Sequence, residues 1–123
     1  MKLKALDILT KFEAFNKLAE KEIDLSSACT IAKNLKELAI YKEEIDKKRD
    51  KLIIDYAEKD GNGEVVKTED GSIKITDITA FNNNIQKILE TDIEVEITKL
   101  NKDKLSEIKI SAKDILPLTD ILE

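Results

Sequence analysis

Glu58-Lys59-Asp60-Gly61-Asn62-Gly63-Glu64-Val65-Val66-Lys67-Thr68-Glu69-Asp70-Gly71-Ser72-Ile73-Lys74-Ile75 contains every glycine of the chain. Glycine enters φ > 0 freely and marks reversals, so this stretch divides the sequence into two helical regions. Glu64–Lys67 and Ser72–Ile75 read as two short strands around a Thr68–Gly71 turn, which predicts a β-hairpin over 64–75.

Upstream there is neither glycine nor proline, so nothing breaks a helix by backbone geometry. Leu6, Leu9, Phe12, Phe15 and Leu18 recur at steps of three, with Leu3 beginning the same stripe, and predict a helix over 3–19. After a short link, Ser26 or Ser27 can cap a second helix over 26–59, with Leu25 packing back on its first turn. Its stripe of Ile31, Leu35, Leu38, Lys42, Ile45, Arg49, Leu52 and Tyr56 steps by four and three, a heptad seam with two cationic interruptions. At 1.5 Å per residue this helix is a rod of about 50 Å.

Downstream, Ile78, Phe81, Ile85, Ile88 and Leu89 predict a third helix over 77–90. The first and third helices, laid end to end, match the rod in length, and Lys42 then falls near their join. Asp92-Ile93-Glu94-Val95-Glu96-Ile97 alternates acidic and apolar residues, as a half-buried strand does. Leu105, Ile108 and Ile110 suggest another extended piece. Ser111-Ala112-Lys113-Asp114 is spaced as a capping box, and Pro117 restricts the remaining residues to a turn or a fresh short helix. The expectation is a single α+β domain over 1–123, mostly α. A long central helix is flanked by two shorter ones, with a β-hairpin, a short C-terminal strand and a helical turn.

Composition narrows the chemistry. There is no histidine, which removes the commonest general base and metal ligand near neutral pH. Cys29 is the only cysteine, in the apolar context Ser27-Ala28-Cys29-Thr30-Ile31, and reads as a small buried residue rather than a nucleophile. No phosphate loop or dinucleotide glycine pattern occurs. An enzyme is not expected, and nothing calls for a cofactor.

The net charge is −5, carried by the second half of the chain, and this sign opposes a nucleic-acid partner. The basic run Lys47-Lys48-Arg49 with Lys51 is interleaved with Glu43, Glu44, Asp46 and Asp50 at i,i+4 order, the pattern of a solvated helix face. No signal peptide or membrane span is read, so a cytoplasmic protein is expected.

Two binding features stand out. Asp92, Glu94 and Glu96, with Asp70 of the hairpin turn, form a candidate acidic edge for a protein partner. Glu58–Glu69 resembles a calcium loop, with Asp60, Asn62, Glu64 and Glu69 among the candidate ligands and a glycine at the sixth position. Against that stand Glu58 at the first position and Asp70-Gly71 where an exit helix should begin; a plain hairpin turn explains the same residues, and no metal is expected. Surplus apolar residues on the long helix, Ile40, Ile53 and Ile54, admit a homodimer.

Several short pieces carry a resemblance: Phe15-Asn16-Lys17-Leu18-Ala19-Glu20-Lys21-Glu22, Ile31-Ala32-Lys33-Asn34, Lys51-Leu52-Ile53 and Glu58-Lys59-Asp60-Gly61. Phe81-Asn82, Leu89-Glu90-Thr91 and the ending from Ile108-Lys109-Ile110-Ser111 through Ile121-Leu122 belong with them. With these the chain resembles a family of small proteins from phages and prophages of low-GC Gram-positive bacteria, described as a domain of unknown function. The resemblance implies an accessory protein of the infected host cell and transfers no catalytic residue. The expected action is binding, to inhibit a host or defence factor. The alternatives are a virion-assembly or tail-associated role, and an oligomer that sequesters a signalling nucleotide.

Overall fold

The computed structural model describes residues 1–123. Its elements are β1 (Lys2–Lys4), α1 (Ala5–Ala19), α2 (Leu25–Tyr56), α3 (Ile78–Leu89), β2 (Asp92–Glu94) and α4 (Ala112–Ile115), with 3-10 helices at Lys102–Leu105 and Leu116–Ile121. This is the expected α+β architecture, organised on α2.

Asp24, rather than Ser26 or Ser27, caps α2, its carboxylate accepting from the Ser27 amide at 3.0 Å. Leu25 is therefore the first helical residue and stands 80% exposed instead of packing back on the first turn. The helix runs unbroken for 32 residues, about 48 Å at 1.5 Å per residue. It ends at Tyr56, three residues before the expected boundary, because Ala57 turns extended and enters the glycine-rich segment. Cys29 is exposed on the outward side of this helix, so it is not the buried filler its neighbours suggest.

The inner face of α2 buries Ile31, Leu38 and Ile45 against Phe15, Ile8 and Leu18 of α1 in one core that also takes in Val95, Leu100, Leu118 and Ile121. The two helices run antiparallel: Leu6 and Leu9 share a cleft with Lys42 and Arg49, and Ala19 shares a groove with Ala28 and Ile31. α3 covers the far half of α2, where Asn84 donates to the Tyr56 hydroxyl at 2.8 Å and Phe81 meets the Tyr56 ring edge-on. Leu89 reaches the cleft that holds Lys42, placing that lysine at the meeting of the two shorter helices, as their lengths require.

The buried face of α1 is Ala5, Ile8, Lys11, Ala14, Phe15 and Leu18; the predicted Phe15 and Leu18 are in it and Leu9 and Phe12 pack against it, but in the first turns it is shifted by one position and leaves Leu6 47% exposed. Leu3 belongs to β1, not to the helix. β1 and β2 are antiparallel, in the register Lys2↔Glu94, Leu3↔Ile93, Lys4↔Asp92. The Ala5 amide donates to the Thr91 carbonyl at 2.9 Å, so this ladder ties the start of α1 to the end of α3.

Beyond β2 the chain crosses α2, where buried Asn34 makes two 2.9 Å bonds with the Thr98 backbone, one to its amide and one to its carbonyl. Leu105 closes a 3-10 helix instead of entering a strand, because the Asn101 side chain accepts from the Asp103 amide and starts a helical turn. Ser111 caps α4 as its spacing predicts, accepting from the Asp114 amide at 3.2 Å. Pro117 sits in the first turn of the last 3-10 helix, where its missing N–H costs nothing. Lys11 fastens that helix to α1, donating to the Pro117 carbonyl at 2.6 Å and to Asp120 at 2.7 Å.

Candidate functional site

Residues 57–76 form a cap beyond the end of the rod, and the single expected hairpin proves to be part of a three-cornered unit. Three antiparallel pairs, Ala57↔Ile75, Lys59↔Val65 and Lys67↔Ile73, close a ring. The Glu58 amide donates to the Lys74 carbonyl at 2.8 Å, the Lys74 amide to Val66 at 2.9 Å and the Val66 amide to Glu58 at 2.8 Å.

A second set of three bonds surrounds the first: Asp60 to Glu64 at 2.8 Å, Thr68 to Ser72 at 2.7 Å and Thr76 to Tyr56 at 2.8 Å, each from amide to carbonyl. Donors and acceptors advance by eight residues from corner to corner. Two corners are tight turns, and the third is where α2 leaves and α3 begins. The repeat is visible in Ala57/Val65/Ile73, Lys59/Lys67, Asp60/Thr68/Thr76 and Gly63/Gly71. An eight-residue self-comparison finds it, whereas a reading by strands and turns stops at one hairpin.

The turns need their glycines. Gly63 and Gly71 have φ of 80° and 85°, and each amide donates 3.0 Å to the carbonyl three residues back. Asp60 Oδ1 accepts from the amides of Asn62 (2.8 Å) and Glu64 (3.1 Å). Asp70 Oδ1 accepts from the Thr68 hydroxyl and from the Ser72 amide, and these bonds hold its carboxyl below the usual range. Asp60 of the calcium-like loop thus stabilises its own turn, as Asp70 does the next, in a ring of hairpins rather than a helix–loop–helix. No three acidic side chains converge on a common point there.

Residues directly opposed in a ladder share a face, as do residues two apart in a strand. Ala57, Lys59, Val65, Lys67, Ile73 and Ile75 therefore occupy one side of the ring, and Glu58, Val66 and Lys74 the other. The 3.1 Å ion pair between Lys74 and Glu58 agrees with this division. Ala57 is buried and Ile75 half-buried toward the rod, whereas Val65 and Ile73 remain 39% and 40% exposed. The cap presents an apolar pair beside two exposed lysines, on a frame tied by six backbone bonds between its strands.

The acidic strand is a different surface from the cap. Asp92 and Glu94 face Lys4 and Lys2 across the β ladder, and the N-terminal ammonium donates to Glu94 at 3.1 Å. Glu96 is exposed beside α2: burial first, then Glu37, Glu44 and Glu96, hold the Tyr41 hydroxyl above its usual pKa. The structure does not bring these three acids together with Asp70, which lies on the cap.

Two open grooves flank α1. One, of about 390 Å³, is largely apolar and lined by Ala19, Ile23, Ala28, Ile31 and Leu35. The other, of about 350 Å³, contains the two cationic interruptions of the heptad seam. There Asp46 accepts from Lys42 at 2.6 Å and lies 3.7 Å from Arg49, while the Lys42 ammonium sits 5.6 Å from the Phe12 ring centre. The seam polarity is thereby answered within the chain. No helix is long and apolar enough to cross a membrane. No protein-family model, no curated protein and no solved structure matches this chain.

Proposed function

We propose that the protein is a non-enzymatic phage or prophage accessory factor that binds a host or defence protein in the host cytoplasm and inhibits it by covering the surface it occupies. The observation that carries this reading is the cap, a backbone-bonded ring at the end of a long rod with Val65 and Ile73 exposed on it beside Lys59 and Lys67. Burying what remains exposed of each side chain would contribute about 1 kcal/mol. The lysine flanks favour a partner whose apolar pocket has an acidic rim. A preformed ring keeps the ordering cost of binding small. The resemblance to phage and prophage proteins supplies the setting.

The test is affinity capture from a low-GC Gram-positive host lysate with the natural chain and with Val65→Glu/Ile73→Glu, side-chain changes that remove no backbone bond of the ring. One host protein recovered in stoichiometric amount with the natural chain and lost with the variant supports the proposal. Equal recovery by both removes the cap from it. Recovery of phage structural proteins alone, from infected cells, replaces inhibition with assembly.

A further inference from the structure

The outward face of α2 is covered by nothing in the fold, and its side chains are arranged to match a second copy of themselves. Leu25, Cys29, Lys36, Ile40, Glu43 and Ile54 recur there at helical spacing, roughly 180° around the axis from the buried Ile31, Leu38 and Ile45 at 100° per residue. All six are exposed, with Leu25, Ile40 and Ile54 at 80%, 55% and 59%, and the exposed Lys47 lies on the same face between Glu43 and Ile54. An ordinary helix surface scatters single apolar residues. Here the large ones sit at the two ends and the middle of one 32-residue line.

We propose that this face is the seam of an antiparallel two-fold homodimer. A two-fold axis between Ala39 and Ile40 brings Leu25 of each protomer onto Ile54 of the other, and Lys36 of each onto Glu43 of the other. The Ile40 side chains lie beside the axis. Each contact occurs twice, as an isologous interface demands. Glu43 already lies 3.3 Å from Lys47 in its own helix, so the incoming Lys36 extends an existing ion pair rather than meeting a bare charge. A parallel dimer would stack Lys36 on Lys36 and Glu43 on Glu43, so charge alone selects the antiparallel arrangement.

The strip is about 45 Å long and roughly 10 Å wide, some 900 Å² for the two faces together, below the 1,200–2,000 Å² of a standard interface. A reversible, concentration-dependent dimer is expected, not an obligate one. The antiparallel arrangement sets the two caps at opposite ends of the particle. This inference uses none of the cap residues, so it stands or falls separately from the proposed function.

The experiment is sedimentation velocity on the full-length chain from about 1 to 500 μM, with three variants and an oxidation control. The natural chain should pass from monomer to dimer across that range. Ile40→Glu should weaken association at least tenfold while leaving the thermal melt of the dilute monomer in place. Lys36→Glu should weaken it, and Lys36→Glu combined with Glu43→Lys should restore it, because the double reversal rebuilds both ion pairs. The two Cys29 side chains lie on the order of 30 Å apart in the antiparallel dimer, so mild oxidant should not cross-link it. A chain that stays monomeric at 500 μM overturns the proposal, as does failure of the double reversal to restore the dimer. Ready cross-linking through Cys29 within the dimer also overturns it, since that requires a parallel arrangement or a different antiparallel register.

Discussion

Replacing Asn34 by leucine tests how the C-terminal third is attached to the rod. Asn34 is fully buried, its Oδ1 accepts from the Thr98 amide and its Nδ2 donates to the Thr98 carbonyl, both at 2.9 Å. Leucine keeps the same branching with bulkier methyls in place of the amide oxygen and nitrogen, so no cavity opens, and any overpacking adds to the loss. The change removes two hydrogen bonds, each worth roughly 0.5–1.5 kcal/mol net, together with the solvation of two backbone groups left against methyls; the sum is about 2–4 kcal/mol. With a urea m-value of roughly 2 kcal/mol/M, the midpoint should fall by about 1–2 M.

Asn34→Asp sharpens the test. Ionised aspartate keeps the acceptor for the Thr98 amide, loses the donor and buries a charge, so its folded pKa must rise; the protonated acid regains an O–H donor for the Thr98 carbonyl. A raised carboxyl pKa means that stability is greatest below the unfolded value of about 3.9 and is lost as pH climbs through the folded value. This variant should therefore lie near the natural chain at pH 4 and well below it at pH 7. Urea melts followed by far-UV circular dichroism at both pH values decide the matter. A loss under about 0.5 kcal/mol for Asn34→Leu, or a deficit in Asn34→Asp that does not change with pH, would refute the assigned role of these bonds.

Gly63→Ala and Gly71→Ala meet open space but retain φ of 80° and 85°, so each should cost about 1–2 kcal/mol of cap stability through backbone strain alone. Hydrogen exchange should then speed up at the Glu58, Val66 and Lys74 amides and stay unchanged at core amides of α1; uniform acceleration would mean that the cap and core unfold as one unit. For Asp114, the hydrogen bond from Lys17 at 2.9 Å and that with Ser111 hold the carboxyl below its usual value. A lowered carboxyl pKa contributes stability above the unfolded value and loses it as pH falls through the folded one. Asp114→Asn should thus melt below the natural chain at pH 6 and converge with it under pH 3; a gap that persists in acid would assign the effect to packing.

The long helix, the positions of the three main helices and the meeting of the shorter two near Lys42 were legible because apolar periodicity and the absence of breakers are local properties. The Ser111 cap and the turn glycines were legible for the same reason. Lys11 escaped because a lysine in a buried stripe is recognisable only once Pro117 and Asp120 are known to lie above it. Leu25 and Cys29 read as inward-facing from their neighbours, yet at 100° per residue both lie across the helix axis from the buried Ile31, Leu38 and Ile45. Of the proposed binding residues, Asp92 and Glu94 looked like a free acidic edge because strand alternation says nothing about which strand lies opposite. β1, with its lysines in register, comes from the other end of the molecule.

Sequence by itself determined the main elements: the approximate spans of the three long helices, the apolar side of the central one, and that the glycine-rich stretch reverses direction. Tertiary structure alone decided the partners. It closed residues 57–76 into a three-cornered ring rather than one hairpin, set Lys2 and Lys4 against the acidic strand, and carried the Thr98 backbone to Asn34, 64 residues away. The physical reason is that periodicity and capping act within one or two turns of the chain. A hydrogen bond or ion pair between distant segments depends on packing that brings them together, and no local pattern encodes its partner.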